Sequence, residues 1–331
     1  MPGGNINSYP KTVKTYATGY RELIEKNYNA TAKMDYRQGV FNMDTTEQME
    51  DRDVELNGIT DVEEWAEDQA AQVDVITEGF EVKYKQVRYG KRIKFGSLMR
   101  DFVMWKPKMV SKASSELGRK IAKLEQVRPF SLFKDGFDST VLTGYGDLKP
   151  TFSTQHPLSP DNSTTWSNAL SNGATLSETS IIAAMTLLDE TPDENGDLMN
   201  LGENGYIILV SNWTDFLAAQ RIVSETATER PGTSNRDINV IAGTVTGAGK
   251  RNIEVRYVKW LRNPLLPNAW YMVAKGESNL NILYSQKFYT DDYKDNDTDT
   301  LYVRGRVMFA YGLGSPRGVV GSKGDGQAYS G

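Results

Sequence analysis

Cysteine is absent from all 331 residues, and histidine occurs once. The first absence removes disulfides, thiolate nucleophiles and zinc-cysteine sites, so rigidity has to come from packing or assembly. The second leaves His156 as the one imidazole and leaves any metal to oxygen donors. No apolar run approaches the ~20 residues of a membrane span. The opening MPGGNINSYPK also lacks an apolar signal core, so the chain reads as soluble and not secreted. Positive charge is not in excess either. A formal net charge of -5 argues against a dedicated nucleic-acid binder, whose surface would be basic. What is present suffices for a folded protein. With 39% hydrophobic residues, a chain of 331 residues buries about three quarters of its unfolded surface, in one large or two medium domains.

Charge is segregated along the chain. Between Asp44 and Asp74, acids recur at Glu47, Glu50, Asp51, Asp53, Glu55, Asp61, Glu63, Glu64, Glu67 and Asp68, with Arg52 the only base. From Lys83 to Arg100 the sign reverses through Lys85, Arg88, Lys91, Arg92 and Lys94. Such blocks are usually solvated faces, but opposite signs can also pair, within one arm or between copies. The stretch Asp74 to Phe95 mixes β-branched and aromatic residues with regular charges. It predicts two strands about a turn near Tyr89-Gly90. An isolated hairpin is marginal in water, so it must lie on its own domain or on a neighbour.

Helical periodicity is clear in several places. Val13, Tyr16, Tyr20, Leu23, Ile24 and Tyr28 recur at three- and four-residue steps, which predicts an amphipathic helix ending before Met34. A longer one runs from Pro107, suited to a first turn, to Pro129, which cannot continue it. Its stripe is Val110, Ala113, Leu117, Ile121 and Leu124. Gly118 inside that helix costs about 1 kcal/mol relative to Ala, so packing must compensate. Ser177 reads as an N-cap for a helix burying Ile181, Ile182, Met185 and Leu188. A buried strand is expected over Tyr206 to Val210. A helix capped by Ser211 or Asn212 follows, with Trp213, Phe216, Leu217 and Ile222 on its apolar face. Arg230 to Asn235 and Gly243 to Asn252 read as loops. Strands are expected at Ile253 to Trp260, Ala269 to Val273, Leu280 to Tyr284 and Leu301 to Tyr311. The Gly- and Ser-rich tail after Gly312 is expected to order only against a neighbour.

Catalytic and metal motifs are mostly missing. Ser153 lies three residues before His156, but no G-x-S-x-G elbow accompanies them, and the histidine reads as a loop residue bonded to backbone. Asp291, Asp292, Asp295, Asp297 and Asp299 invite a Ca²⁺ loop, yet the glycine and terminal glutamate of an EF-hand are lacking. A solvated turn fits them better. The run Gly243 to Arg251 fails as a phosphate loop, because Thr244 stands where glycine is needed and Arg251 where Ser or Thr is needed. No catalytic residue, metal ligand or cofactor is assigned.

Lys149 to Leu170, KPTFSTQHPLSPDNSTTWSNAL, holds an aromatic-Ser-Thr-x-His-Pro run and then a polar loop with Ser167-Asn168, ahead of the helix start at Leu176-Ser177. Upstream is the long helix signal ending near Phe137. Downstream come Gly205 to Val210, the helix from Ser211, and Ala269-Trp270-Tyr271. In this order, over residues 80 to 315, the chain resembles the Mu-like family of phage major head subunits. The N-terminal part is similar only in being an extended charged arm.

The resemblance implies an α+β Hong Kong 97-like capsid fold with an N-terminal arm, an extended β-hairpin loop, a long spine helix with a peripheral sheet, and a second α/β axial lobe. On this sequence the parts fall at 1–43 (arm), 44–100 (extended loop), 101–175 (peripheral domain), 176–268 (axial domain), 269–315 (return strands) and 316–331 (tail). It further implies a major capsid protein that self-assembles as hexamers and pentamers of a shell enclosing DNA without sequence-specific binding. Scaffold, protease, portal and decoration proteins are the implied partners, and virion and host cytoplasm the implied locations. Tyr16, Tyr20, Leu23, Trp65, Phe80, Tyr84, Arg88, Tyr89 and Arg92 are the residues expected at subunit interfaces. Removing Met1 to Met34 is then expected to impair assembly more than folding. The competing readings are a carboxylate-dependent hydrolase with a Ca²⁺ loop near Asp295, and a cargo shell of the same fold.

Overall fold

The computed structural model describes residues 9–56, 73, 77–96, 107–140, 145–224, 227–229, 236–238, 252–295, 297–298 and 300–329. The chain opens with helix α1 (Tyr9–Ala32), then strands β1 (Asn42–Thr45), β2 (Glu50–Leu56), β3 (Glu78–Lys85) and β4 (Val87–Phe95). Helix α2 (Pro107–Val127) and the single turn α3 (Ser131–Lys134) follow, then the short strands β5 (His156–Pro157) and β6 (Thr165–Trp166). Next come α4 (Glu178–Asp189), β7 (Tyr206–Val210), α5 (Trp213–Ser224), β8 (Ala227–Glu229), β9 (Arg236–Ile238) and β10 (Ile253–Tyr257). The chain closes through β11 (Trp270–Ala274), β12 (Leu280–Asp295), β13 (Thr300–Leu313) and β14 (Val319–Ser322).

Two four-stranded sheets organise these elements. The first has the order β1-β12-β13-β4, with the long β12/β13 hairpin at its centre. One face of it, carrying Leu301, Val303, Val307 and Phe309, is buried under α1 and α2. The second has the order β10-β7-β11-β14, and β7 and β11 within it are buried along their whole length. Burial on both faces explains why Tyr206 to Val210 reads as a continuous apolar run rather than an alternating one. Ile207 and Leu209 join the aromatic cluster of Phe133, Phe152 and Tyr271, whereas Ile208 and Val210 face Ile181 and Leu188 of α4. Ser177 caps α4 with a reciprocal capping box through Ser180.

Gly118 shows what compensates a mid-helix glycine. Helix α1 crosses α2 so closely that a Cβ at Gly118 would lie 2.2 Å from the Ile24 carbonyl oxygen. Ile24 is fully buried there, and Asn27 Nδ2 donates to Ser115 Oγ at 3.1 Å.

Several sequence expectations are corrected. There is no hairpin about Tyr89-Gly90. β3 pairs with β2, and β4 pairs with β13, the chain switching partners at Gln86. The apolar residues change parity there, from Phe80, Val82 and Tyr84 to Tyr89, Ile93 and Phe95, so the two halves bury opposite faces. Gln86 secures the switch, its backbone N–H donating to Met49 O and its side-chain amide to Leu283 O. Gly90 is a strand residue opposite Arg306, and a Cβ there would lie 3.0 Å from the Gly305 carbonyl oxygen.

On α4, Ile182 is 49% exposed. On α5, Trp213 and Leu217 are 60% and 54% exposed, while Ala219 takes the buried position. β11, expected among the return strands, is central in the second sheet. The tail is held by its own chain, β14 pairing with β11 and Tyr329 donating to Phe152 O at 2.8 Å. The loops 230–235 and 243–251 lie outside the described residues.

Candidate functional site

The two-stranded arm of β2 and β3 carries acids of the first charge block on β2, whereas most of the basic block, Arg88, Lys91, Arg92 and Lys94, lies on β4. The register of the arm sets Glu50 opposite Lys85, an acid facing a base, and Arg52 opposite Lys83, two bases that share Glu81 between them. Arg52 pairs with Glu81 at 3.3 Å. At its base, Phe80, Val82 and Tyr84 pack against Tyr145 and Ala310, with the Phe80 and Tyr145 rings 5.1 Å apart. Burial pushes the Tyr84 hydroxyl up to about 12. Phe80 and Tyr84 therefore need no neighbour to be buried, which corrects the expectation that contact with another copy covers them.

A guanidinium fastens this arm to the rest of the chain. Arg317, 4% exposed, contacts Glu55 Oε1 and Glu194 Oε1 at 2.8 Å each through Nη1. Its Nε donates to Pro192 O at 2.8 Å and its Nη2 to Leu158 O at 3.0 Å. Tyr145 donates to the second oxygen of Glu55 at 2.6 Å. Arg317, two residues before β14, thus joins β2, the loop after α4 and the segment leading into β6.

A second buried network fastens α1. Glu125 of α2 accepts from Tyr28 at 2.9 Å and lies 3.8 Å from Arg37, which Asp35 engages at 2.8 Å. Burial raises the Glu125 carboxyl above its ordinary value. The Tyr284 hydroxyl, pushed up to about 12 by burial, completes the set.

His156 is not a loop histidine bonded to backbone. Nδ1 lies 2.7 Å from Asp147 Oδ2 and Nε2 lies 3.2 Å from Asn168 Oδ1. Asn168 donates from Nδ2 to Thr151 O and Pro316 O, which fixes its oxygen towards the ring. The sequence reading missed Asp147 because the partner is nine residues upstream in an irregular segment. The side chains of His156 and Asp147 are each 1% exposed, and both ring nitrogens are occupied, so the pair braces the fold without access for a substrate.

The acids near Asp295 do not converge on a cation. Asp291 and Asp292 are strand residues. Arg304, opposite Asp291, grips it with two hydrogen bonds, and Asp292 pairs with Arg21 at 3.4 Å. Asp295 accepts from the Asp297 N–H and the Thr298 hydroxyl, which closes the turn. Among the described residues, no group of three or more acids or histidines could hold a metal ion.

The face of the first sheet away from the helices is covered at one end by β3. Its distal end presents a ladder of arginine and tyrosine. Arg92 donates to the Tyr293 hydroxyl at 2.9 Å and lies 5.1 Å over the Tyr302 ring, and Tyr293 and Tyr302 stack at 5.0 Å. Arg306 sits 5.2 Å over Tyr289, which is 45% exposed. Asp291, gripped by Arg304 and 4.0 Å from Arg306, places a carboxylate of the same chain among these cations.

Of the residues expected at interfaces, Arg88 and Arg92 are exposed on β4, and Leu23 is half-buried. Tyr89 is half-buried at an apolar groove of about 330 Å³ lined by Ile93, Leu117, Ile121 and Leu124. Tyr20 stacks on Phe95 at 5.2 Å within the chain. Trp65 and the Tyr16 side chain lie outside the described residues.

No known protein-family model matches the sequence, and no curated protein matches it. Solved structures do. The capsid structure of cyanophage P-SCSP1u is similar over 86% of this chain and 86% of its own, at 9% identity and a TM-score of 0.54. The mature capsid of bacteriophage PhiM1 is similar over 85% of this chain and 83% of its own, at 13% identity and a TM-score of 0.50. The chain has their α+β fold, the Hong Kong 97-like capsid fold.

Proposed function

We propose that this chain is the major capsid protein of a tailed phage or prophage, and that identical copies tile a closed icosahedral shell around a DNA genome. The observation that carries this reading is a capsid fold matched along most of both chains. Its role is structural rather than catalytic. The one histidine is sealed and the arm-base carboxylates are taken up by Arg317.

In this reading the arm is the exchanged element. Acids of the Asp44 to Asp74 stretch in one copy face Arg88, Arg92 and the arginine-tyrosine ladder of the next, which sets register and speeds encounter. Copies related by closed symmetry form hexamers and pentamers. The order of elements around Lys149 to Leu170 favours the Mu-like subfamily. Scaffold, protease and portal proteins, with decoration proteins on the outside, are the partners that reading brings. Assembly then takes place in host cytoplasm, and the product resides in the virion.

Purified chain examined by size-exclusion chromatography and electron microscopy tests this. Capsid-sized particles, capsomers or curved sheets are expected, with assembly weakening as salt screens the charged faces. A compact monomer at all concentrations, with or without scaffold, overturns it. A hydrolase would show turnover in that same monomeric fraction.

A further inference from the structure

The first sheet ends in two open edges of opposite charge. Its order β1-β12-β13-β4 leaves β1 and β4 with one neighbour each. Among the described residues, no backbone hydrogen bond from outside the sheet reaches 42–45 or 87–95. β4 carries Arg88, Lys91, Arg92 and Lys94 and no acid. The stretch Asn42 to Glu50, which begins with β1, carries Asp44, Glu47 and Glu50 and no base. A mostly exposed edge of nine residues, such as β4, is a template for another strand.

The two edges also match in direction and in the side on which their residues fall. β1 runs parallel to β12, β12 antiparallel to β13, and β13 antiparallel to β4, so both edge strands point the same way. A second copy turned about an axis along the strands therefore brings its β1 beside β4 in parallel, with the faces of the two sheets in line. Parity then decides where the side chains go. Met43 lies opposite Ile282, which is buried in the core with the helices, and Asp44 lies opposite Leu283, which packs against the β3 cluster on the other face. On β4, Tyr89 and Ile93 line the apolar groove of about 330 Å³ with Leu117, Ile121 and Leu124, while Arg88 and Arg92 point to the face away from the helices. An incoming β1 thus carries Met43 to the groove and Asp44 to the arginines. Met43 is exposed in the single chain, and its unbranched thioether suits an irregular apolar gap.

We propose that this chain binds a second copy of itself by strand addition, β1 of one copy extending the first sheet of the next at β4, with Met43 in the groove beside α2 and Asp44 against Arg88 and Arg92. The contact is heterologous. Each copy offers one edge and receives the other, so the contact propagates in one direction and closes into a ring when the rotation divides a full turn. The basic residues that keep β4 from pairing with another β4 are the ones that select an acidic strand. This deepens the shell reading by naming one contact between neighbours, and it rests on that reading for ring closure.

Disulfide trapping tests it, because the chain has no cysteine of its own. Met43→Cys is combined in the full chain with Val87→Cys, Lys91→Cys or Ile93→Cys in turn, all three on the helix side of β4, and the protein is oxidised under assembly conditions and run on a non-reducing gel. Val87 and Lys91 are exposed, so their variants leave the core intact. At least one pair is expected to give a ladder of covalent dimers and higher oligomers, since parallel neighbours on one face lie within disulfide reach. Met43→Cys with Arg92→Cys sets the thiols on opposite faces and should run as monomer, as should Met43→Cys alone. Asp44→Arg, added to the pair that cross-links best, should lower the ladder by up to about fivefold. No ladder from any same-face pair, or an equal ladder from the opposite-face pair, overturns strand addition, and an unchanged yield with Asp44→Arg overturns the pairing of Asp44 with the arginines. Microscopy of the same samples separates the two readings. Particles without the ladder reject strand addition and leave the shell standing, whereas the ladder without particles supports strand addition and rejects the shell.

Discussion

Gly118 and Asp291 illustrate how single residues carry the architecture. At Gly118, alanine gains about 1 kcal/mol of helix propensity but forces its Cβ against the Ile24 carbonyl oxygen. Backbone cannot rotate aside as a side chain can, so Gly118→Ala should lower unfolding free energy by about 1–3 kcal/mol, measured by chemical denaturation. A stabilised variant would show that the α1 crossing is not tight. At Asp291, the hydrogen bonds from Arg304 hold the carboxyl below its ordinary 3.8. A depressed carboxyl contributes stability above its unfolded value and loses it as pH falls through the folded one. Thermal melts of Asp291→Asn should therefore lie below wild type near neutral pH and converge with it as pH falls through the depressed folded-state value. Equal offsets at every pH would assign the effect to packing.

At the scale of elements, the arm is a two-stranded ribbon that carries a pair of opposite charges at the end beside the Gln86 switch. Glu50 faces Lys85 across the strands, an exposed pair worth about 0.2–1 kcal/mol. Lys85→Glu should destabilise the arm by that order, and the swap Glu50→Lys with Lys85→Glu should restore it. Hydrogen exchange in peptides of the arm reads both. Failure of the swap to restore protection would mean that the residues act on different partners.

The arm also shows where one-dimensional reading stops. Alternation over Asp74 to Phe95 signalled strand correctly. Which strand each half joins depended on β2 and β13, which are respectively about thirty and more than two hundred residues away in register. A parity change at Gln86 was the available signal. Trp213 and Leu217 misled in the opposite way, because helical spacing marks an apolar face without saying whether the same chain covers it.

On the scale of the whole molecule, α1 proves to be part of the body. Ile24 is buried against α2, and Tyr28 donates to Glu125. Removing Met1 to Met34 should thus destabilise the fold itself, contrary to the expectation from sequence. Burying Ile24 alone is worth about 1.5–3 kcal/mol. Deleting residues 1–8 leaves α1 in place and separates assembly from folding. The shorter deletion should keep the wild-type melting temperature, and the longer should lower it. Equal melting temperatures for both would make α1 a dispensable appendage.

Composition and periodicity by themselves determined the lack of disulfide and thiolate chemistry, the helices α1, α2 and α4, the buried strand β7 and the exclusion of a Walker loop. These are local properties, set by side-chain type and by the 3.6- and 2-residue repeats. Tertiary structure alone decided the partners: β14 on β11, β3 on β2, Asp147 on His156, and Glu55 with Glu194 on Arg317. Each of these joins groups from separate segments, and a strand edge or an ionised side chain can be satisfied by any complementary group that the fold brings within reach.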